Sequence, residues 1–224
     1  MPRSTAVALQ MRWRPVPSRL VVLASGTGTT LQAVLDACRD PAYGAVVVAV
    51  GVDRFDTGAQ RRADIAGVPV FTVRLQDFPT RERFDAAVIA EIERFSPDLV
   101  VLAGYMKVLG PAVVARFQMV NTHPSLLPSF PGAHAVRDAL EHGVKVTGVT
   151  VHSVDEGVDT GPILAQEPVY VRDGDTEDSL RERIQSVERG LYVRTIARVL
   201  ASVRASRAAS PPVEAVPHGG GQTR

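Results

Sequence analysis

Strand-length apolar runs alternate with helix-patterned stretches along most of this chain, and this alternation limits the fold more than any other feature. Apolar runs at residues 20–25, 45–50, 69–73 and 99–103 are separated by helical patterns over 30–39, 56–66 and 81–95. Gly67 and Pro69 stop the second pattern, and Thr80 is placed to cap the third. The run at 99–103 is apolar throughout, as in a strand covered on both faces. A short helix or turn follows at 113–117, then a strand beginning at Met119 and a helix over 133–142. Strands at 146–154 and 163–171 precede a last helix that starts after Thr176 and runs to about residue 206. Such alternation predicts an α/β fold: a doubly wound, mostly parallel sheet with helices on both faces. Ligands then bind outside the carboxyl ends of the strands.

The chemistry concentrates at one such end. Residues 118–132 read Gln-Met-Val-Asn-Thr-His-Pro-Ser-Leu-Leu-Pro-Ser-Phe-Pro-Gly, and Asp159 follows in Asp-Glu-Gly-Val-Asp-Thr-Gly. Asn121 and His123 are two residues apart, just past a short apolar strand. Alternate residues of an extended segment point to the same side, so the amide and the imidazole converge on one small group. The prolines behind them continue neither a strand nor a regular helix, which predicts that both residues sit on a fixed loop. An amide donor, an imidazole and a carboxylate are the parts needed to hold an oxyanion and move a proton.

A second motif, Ser25-Gly26-Thr27-Gly28-Thr29-Thr30, joins the first strand to the first helix. Gly26 and Gly28 let the backbone approach a ligand, and the free N–H groups of a helix start favour an anion. The third glycine of the dinucleotide fingerprint is missing, and no Gly-Lys follows as in a Walker loop. Gln185 and Glu188 lie one turn apart on the last helix and share a face, which from the bare residues reads as a solvated surface.

Composition excludes several classes. The net charge of +1 gives no electrostatic case for nucleic acid or an acidic membrane. A lone Cys38 rules out an intrachain disulfide and suits a reducing cytosol; it reads as a small packed hydrophobe. No apolar run reaches the length of a membrane span. No two histidines have helical ligand spacing and there is no cysteine pair, so a metal is not implied. The expected organisation is a flexible extension over residues 1–18, one domain over 19–206 and a disordered Pro- and Gly-rich tail over 207–224.

The Asn-x-His-Pro-Ser-Leu-Leu-Pro signature with its distant Asp resembles the folate-dependent formyltransferases. The similarity spans roughly residues 19–200 and includes the loop at 25–32, the run at 97–106 and residues 175–188. It implies a Rossmann-like formyltransferase fold and the transfer of a formyl group from 10-formyltetrahydrofolate, a cosubstrate, to the amine of glycinamide ribonucleotide in purine synthesis. Asn121, His123 and Asp159 would be catalytic, with Asn121 and a protonated His123 stabilising the oxyanion and an ionised Asp159 supporting the imidazole. Gly26, Thr27, Gly28, Thr29 and Thr30 would hold the nucleotide phosphate, although the family more usually has Asn at 27 and 30. Gln185 and Glu188 would face the ribose and glycinamide. Arg81, Met106, Lys107, Val108, Leu109 and Asn121 would form the folate site, where the family commonly has Arg at 107, and residues 154–159 would close over the pterin. His152 is family-like, and His134 lies near the signature. The resemblance leaves formyltetrahydrofolate hydrolysis, methionyl-tRNA formylation and a non-catalytic nucleotide-binding module as alternatives. The first normally carries a regulatory domain before the catalytic one, whereas the first strand here is expected at about Leu20; the second normally needs a C-terminal nucleic-acid-binding domain, whereas a short helix and tail are expected to follow here. Small-molecule substrates, no nucleic acid and no membrane are the expected partners, with a homodimer left open.

Overall fold

The computed structural model describes residues 16–209. Chain order is β1 (Ser18–Ala24), α1 (Thr29–Ala37), β2 (Ala45–Val52), α2 (Gly58–Ile65), β3 (Val70–Thr72), α3 (Arg81–Glu93), β4 (Leu99–Leu102), α4 (Pro111–Arg116), β5 (Met119–His123), α5 (Ala135–Glu141), β6 (Val146–Ser153), β7 (Ile163–Tyr170) and α6 (Glu177–Ala209). The strands form one seven-stranded sheet in the order β3-β2-β1-β4-β5-β6-β7. The pairs from β3 to β5 are parallel, whereas β6 and β7 are added antiparallel. This is the doubly wound α/β sheet that the alternation predicts.

Side-chain alternation along β1 builds two cores, one on each face of the sheet. Leu20, Val22 and Ala24 pack with Leu31 and Val34 of α1 and with Leu180, Ile184, Tyr192 and Ile196 of α6. Val21 and Leu23 pack on the other face with Phe84, Val88 and Ile92 of α3 and Val113 of α4. The Tyr192 hydroxyl lies 2.8 Å from the Leu102 carbonyl and 2.9 Å from that of Val120. It therefore ties α6 to β4 and β5. Strand order reverses between β1 and β4, the place where a sheet of this kind opens a crevice.

Two boundaries differ from the sequence expectation. Ser18 opens β1 rather than closing an extension: it is buried, its N–H donates to the Gly44 carbonyl at 2.9 Å, and its hydroxyl accepts from Arg204 at 3.0 Å. At the other end α6 continues to Ala209. The expectations for residues 1–15 and 210–224 lie outside the described residues. A third difference concerns the signature. Asn121 and His123 are not on a loop past the strand but are its last residues, because β6 pairs antiparallel with 120–123 and extends the ladder. That partner strand comes from a distant segment and left no mark on the local pattern.

Candidate active site

The register of β5 on β6 sets Asn121 opposite His152. The Asn121 Nδ2 is 3.3 Å from His152 Nε2, and His152 Nδ1 is 2.9 Å from the Ser153 carbonyl. A carbonyl only accepts, so Nδ1 carries the proton and the neutral ring accepts from the Asn121 amide through Nε2. One amide hydrogen of Asn121 is thereby fixed and the second is left for a ligand. His123, two residues on and buried, is engaged at both nitrogens. Its Nε2 is 2.8 Å from the Phe130 carbonyl and its Nδ1 is 3.2 Å from Asp159 Oδ2. Both neighbours are acceptors, and the doubly protonated ring satisfies both.

Asp159 joins the cluster from the loop between β6 and β7. It has φ +57°, accepts from the Gly132 N–H at 2.8 Å and places its other oxygen 3.6 Å from His152 Nε2. Burial pushes its carboxyl up, but the hydrogen bond from the Gly132 N–H and the charge of His123 hold it below the ordinary carboxylate range. The carboxylate is therefore ionised at neutral pH. Asn121, His123 and Asp159 do come together, as the sequence led one to expect. The difference lies in His123: its Nε2 already holds the Phe130 carbonyl, so direct donation to an oxyanion requires that peptide to move. Phe130 has φ +52°, an uncommon conformation for a bulky residue. His152 and Phe130 are parts of the site that the residues alone did not mark as such; β-ladder register is the only signal that would have paired His152 with Asn121.

Across the crevice the β1–α1 loop carries Gly28 as the left-handed N-cap of α1, at φ +73°. The Thr30 hydroxyl donates to Glu188 at 2.9 Å, joining residues 158 apart in the chain. Glu188 is buried, contrary to a solvated helix face, and burial raises its pKa against the opposing hydrogen bond from Thr30. Thr30 thus turns its hydroxyl to Glu188, while Thr27 stays exposed. Gln185, one turn earlier on α6, is half-buried.

The third wall follows β4. Met106 and Val108 expose 67% and 59% of their surface, whereas Leu109 turns into the core. Val158 on the Asp159 loop is likewise exposed. The Met106 N–H donates to Ser25 Oγ at 2.8 Å, so this wall is fastened to the start of the glycine loop. Lys107 pairs with the buried Asp53 at 3.3 Å, and Arg81 pairs with Asp85 at 3.3 Å while lying over the Phe84 ring. Neither cation is free of a carboxylate. Burial, with Asp53 and Asp85 nearby, pushes the Tyr105 hydroxyl up.

A family model described as "Formyl transferase" matches residues 18–196. The chain belongs to the formyl transferase family. Among its relatives, the phosphoribosylglycinamide formyltransferase of Mycobacterium tuberculosis is 58% identical over 183 residues, covering 81% of this chain and 84% of that protein. The enzyme of the same name from Escherichia coli is 42% identical over 175 residues, covering 77% and 82%. The solved structure of glycinamide ribonucleotide transformylase 1 from Symbiobacterium toebii superposes with a TM-score of 0.82 at 44% identity, covering 84% of this chain and 90% of that one.

For this formyl transferase, the remaining candidates fall away from the centre. His134 is exposed at the start of α5, and His142 stacks edge-on against Phe130 at 5.7 Å. Cys38 packs beside the core, and burial pushes its thiol up to about 11, which leaves it protonated and unreactive. Among the described residues no cluster of His, Cys, Asp or Glu could hold a metal, and no helix is long and apolar enough to cross a membrane.

Proposed function

We propose that this formyl transferase moves the formyl group of 10-formyltetrahydrofolate to the amine of 5′-phosphoribosylglycinamide, a step of purine (IMP) biosynthesis. The observation that carries the reading is the convergence of Asn121, His123 and Asp159 at the crevice between a glycine loop and an exposed apolar wall. The names of the related enzymes point the same way. The nucleotide phosphate takes the Gly26–Thr30 backbone, with Gln185 and Glu188 toward the sugar. The folate ring takes the wall of Met106, Lys107, Val108 and Leu109 near Arg81, beneath the Asp159 loop. Small molecules are thus the partners, and the cytosol is the compartment that supplies them.

The amine attacks the formyl carbon directly, and negative charge collects on the former carbonyl oxygen. The second N–H of Asn121, aimed by His152, is placed to donate to it. The imidazolium of His123, balanced by Asp159, supplies positive charge beside it and donates directly once the Phe130 carbonyl yields. The amine must then lose a proton and the leaving folate nitrogen must gain one. Folate is consumed as a cosubstrate. Incubation with both substrates should release tetrahydrofolate in proportion to nucleotide. Equal release with water alone, or transfer to methionyl-tRNA instead, would overturn the assignment.

A further inference from the structure

We infer that Arg62 is a positioning residue for the nucleotide phosphate, acting through the Thr27 peptide. The inference rests on the reading of the Gly26–Thr30 loop as the phosphate site. Helix α2 and this loop meet backbone to backbone. A Cβ on Gly28 would lie 2.6 Å from the Ala59 Cα, and one on Gly58 would lie 2.5 Å from the Thr27 carbonyl oxygen. Two hydrogen bonds cross the contact. The Ala59 N–H donates to the Gly26 carbonyl at 3.1 Å, and Arg62 Nε donates to the Thr27 carbonyl at 3.0 Å. A second arm of Arg62 donates from Nη1 to Gln32 Oε1 on α1 at 3.0 Å, so the guanidinium is held from both sides.

In a trans peptide the C=O and the following N–H point in opposite directions. Drawing the carbonyls of Gly26 and Thr27 onto α2 therefore aims the N–H groups of Thr27 and Gly28 away from it. Among the described residues, no hydrogen-bond acceptor takes either N–H. The first-turn N–H groups of Thr29 and Thr30 add to the set, and such a set suits an anion. A cation on the Thr27 oxygen also polarises that peptide and strengthens its N–H as a donor. This chain depends on the backbone more than a loop with side-chain amides would. It has Thr at 27 and 30, and the Thr30 hydroxyl is committed to Glu188. Aiming the Gly28 N–H then falls to Arg62, as aiming the Thr27 N–H falls to Ala59.

Arg62→Ala and Arg62→Lys separate geometry from charge, because lysine keeps the cation but not the two-armed fork. The KM for nucleotide should rise about tenfold in both variants, a loss of about 1.4 kcal/mol. The inhibition constant of inorganic phosphate, competing with nucleotide, should rise in parallel. Folate KM and kcat at saturation should stay within about twofold, and Arg61→Ala, at an exposed neighbour, serves as control. An unchanged nucleotide KM and phosphate constant in Arg62→Ala would overturn the inference. Full recovery in Arg62→Lys would also overturn it, since charge alone would then suffice. Thermal melting of each variant identifies one that fails to fold, and the other then decides. If the wild-type chain shows no nucleotide-dependent turnover, the function reading has failed. Calorimetric phosphate binding to wild type and Arg62→Ala then tests Arg62 by itself.

Discussion

Replacing Asp159 by Asn removes one charge and little else. The side chains are nearly isosteric, and an Asn Oδ1 can still accept from the Gly132 N–H that Asp159 now takes at 2.8 Å. What is lost is the attraction between the carboxylate and the His123 imidazolium. At 3.2 Å and an effective dielectric of roughly 20, that attraction is about 5 kcal/mol. The Asn dipole keeps part of it, so a deficit of roughly 3–4 kcal/mol should reach the transition state, or about 10²–10³ in rate at 1.36 kcal/mol per decade. Steady-state tetrahydrofolate formation should therefore show kcat down by that factor, while nucleotide KM moves less than about threefold, because the glycine loop lies on another segment. A kcat within fivefold of wild type would refute the reasoning and leave Asp159 with the shaping of its loop alone. Stability supplies a second readout. The folded pKa is depressed, so the stabilisation is present above about 3.9, the ordinary carboxylate value, and is lost as pH falls through the folded value. Wild-type and Asp159→Asn melting temperatures should accordingly converge on acidification below that value; a gap that stays constant would contradict the electrostatic account.

Glu188 carries the opposite sign. Burial raises its folded pKa, so stability falls as pH rises from about 4.3 through the folded value. Glu188→Gln should lack that slope, and melting scans from pH 4 to 8 that run parallel for the two proteins would show the carboxyl is not strained. Thr30→Val leaves Glu188 without its donor and should cost about 1–3 kcal/mol in denaturant unfolding. His152→Phe removes the acceptor that orients the Asn121 amide and should lower kcat about tenfold or more with nucleotide KM unchanged; equal kcat would mean Asn121 is aimed by other means. In Gly161→Ala the new Cβ would collide with the Ser153 carbonyl, so the loop bearing Asp159 must shift and kcat should fall more than stability, as paired kinetic and melting measurements would show.

Sequence alone determined the α/β class, the strand and helix spans to within a few residues, and the turning of Asn121 and His123 to one side. Each rests on short-range physics. Period-2 and 3.6-residue apolar patterns, Thr80 as a cap and the two-residue spacing of Asn121 and His123 are all set by neighbours in the chain. Tertiary structure decided what distant segments do to one another. The antiparallel ladder of β6 pulled the signature into a strand and set His152 against Asn121. Packing of α6 on α1 buried Glu188, which the residues alone presented as a solvated surface, and turned Thr30 away from the loop. The same holds for Lys107, whose cation is matched by Asp53 from the end of another strand, and for Arg62, which reaches a carbonyl 35 residues away. Burial and hydrogen-bond partners are properties of the folded arrangement. A side chain's charge and shape are written in the chain, but whether it faces water, substrate or another side chain depends on which segments the fold brings against it.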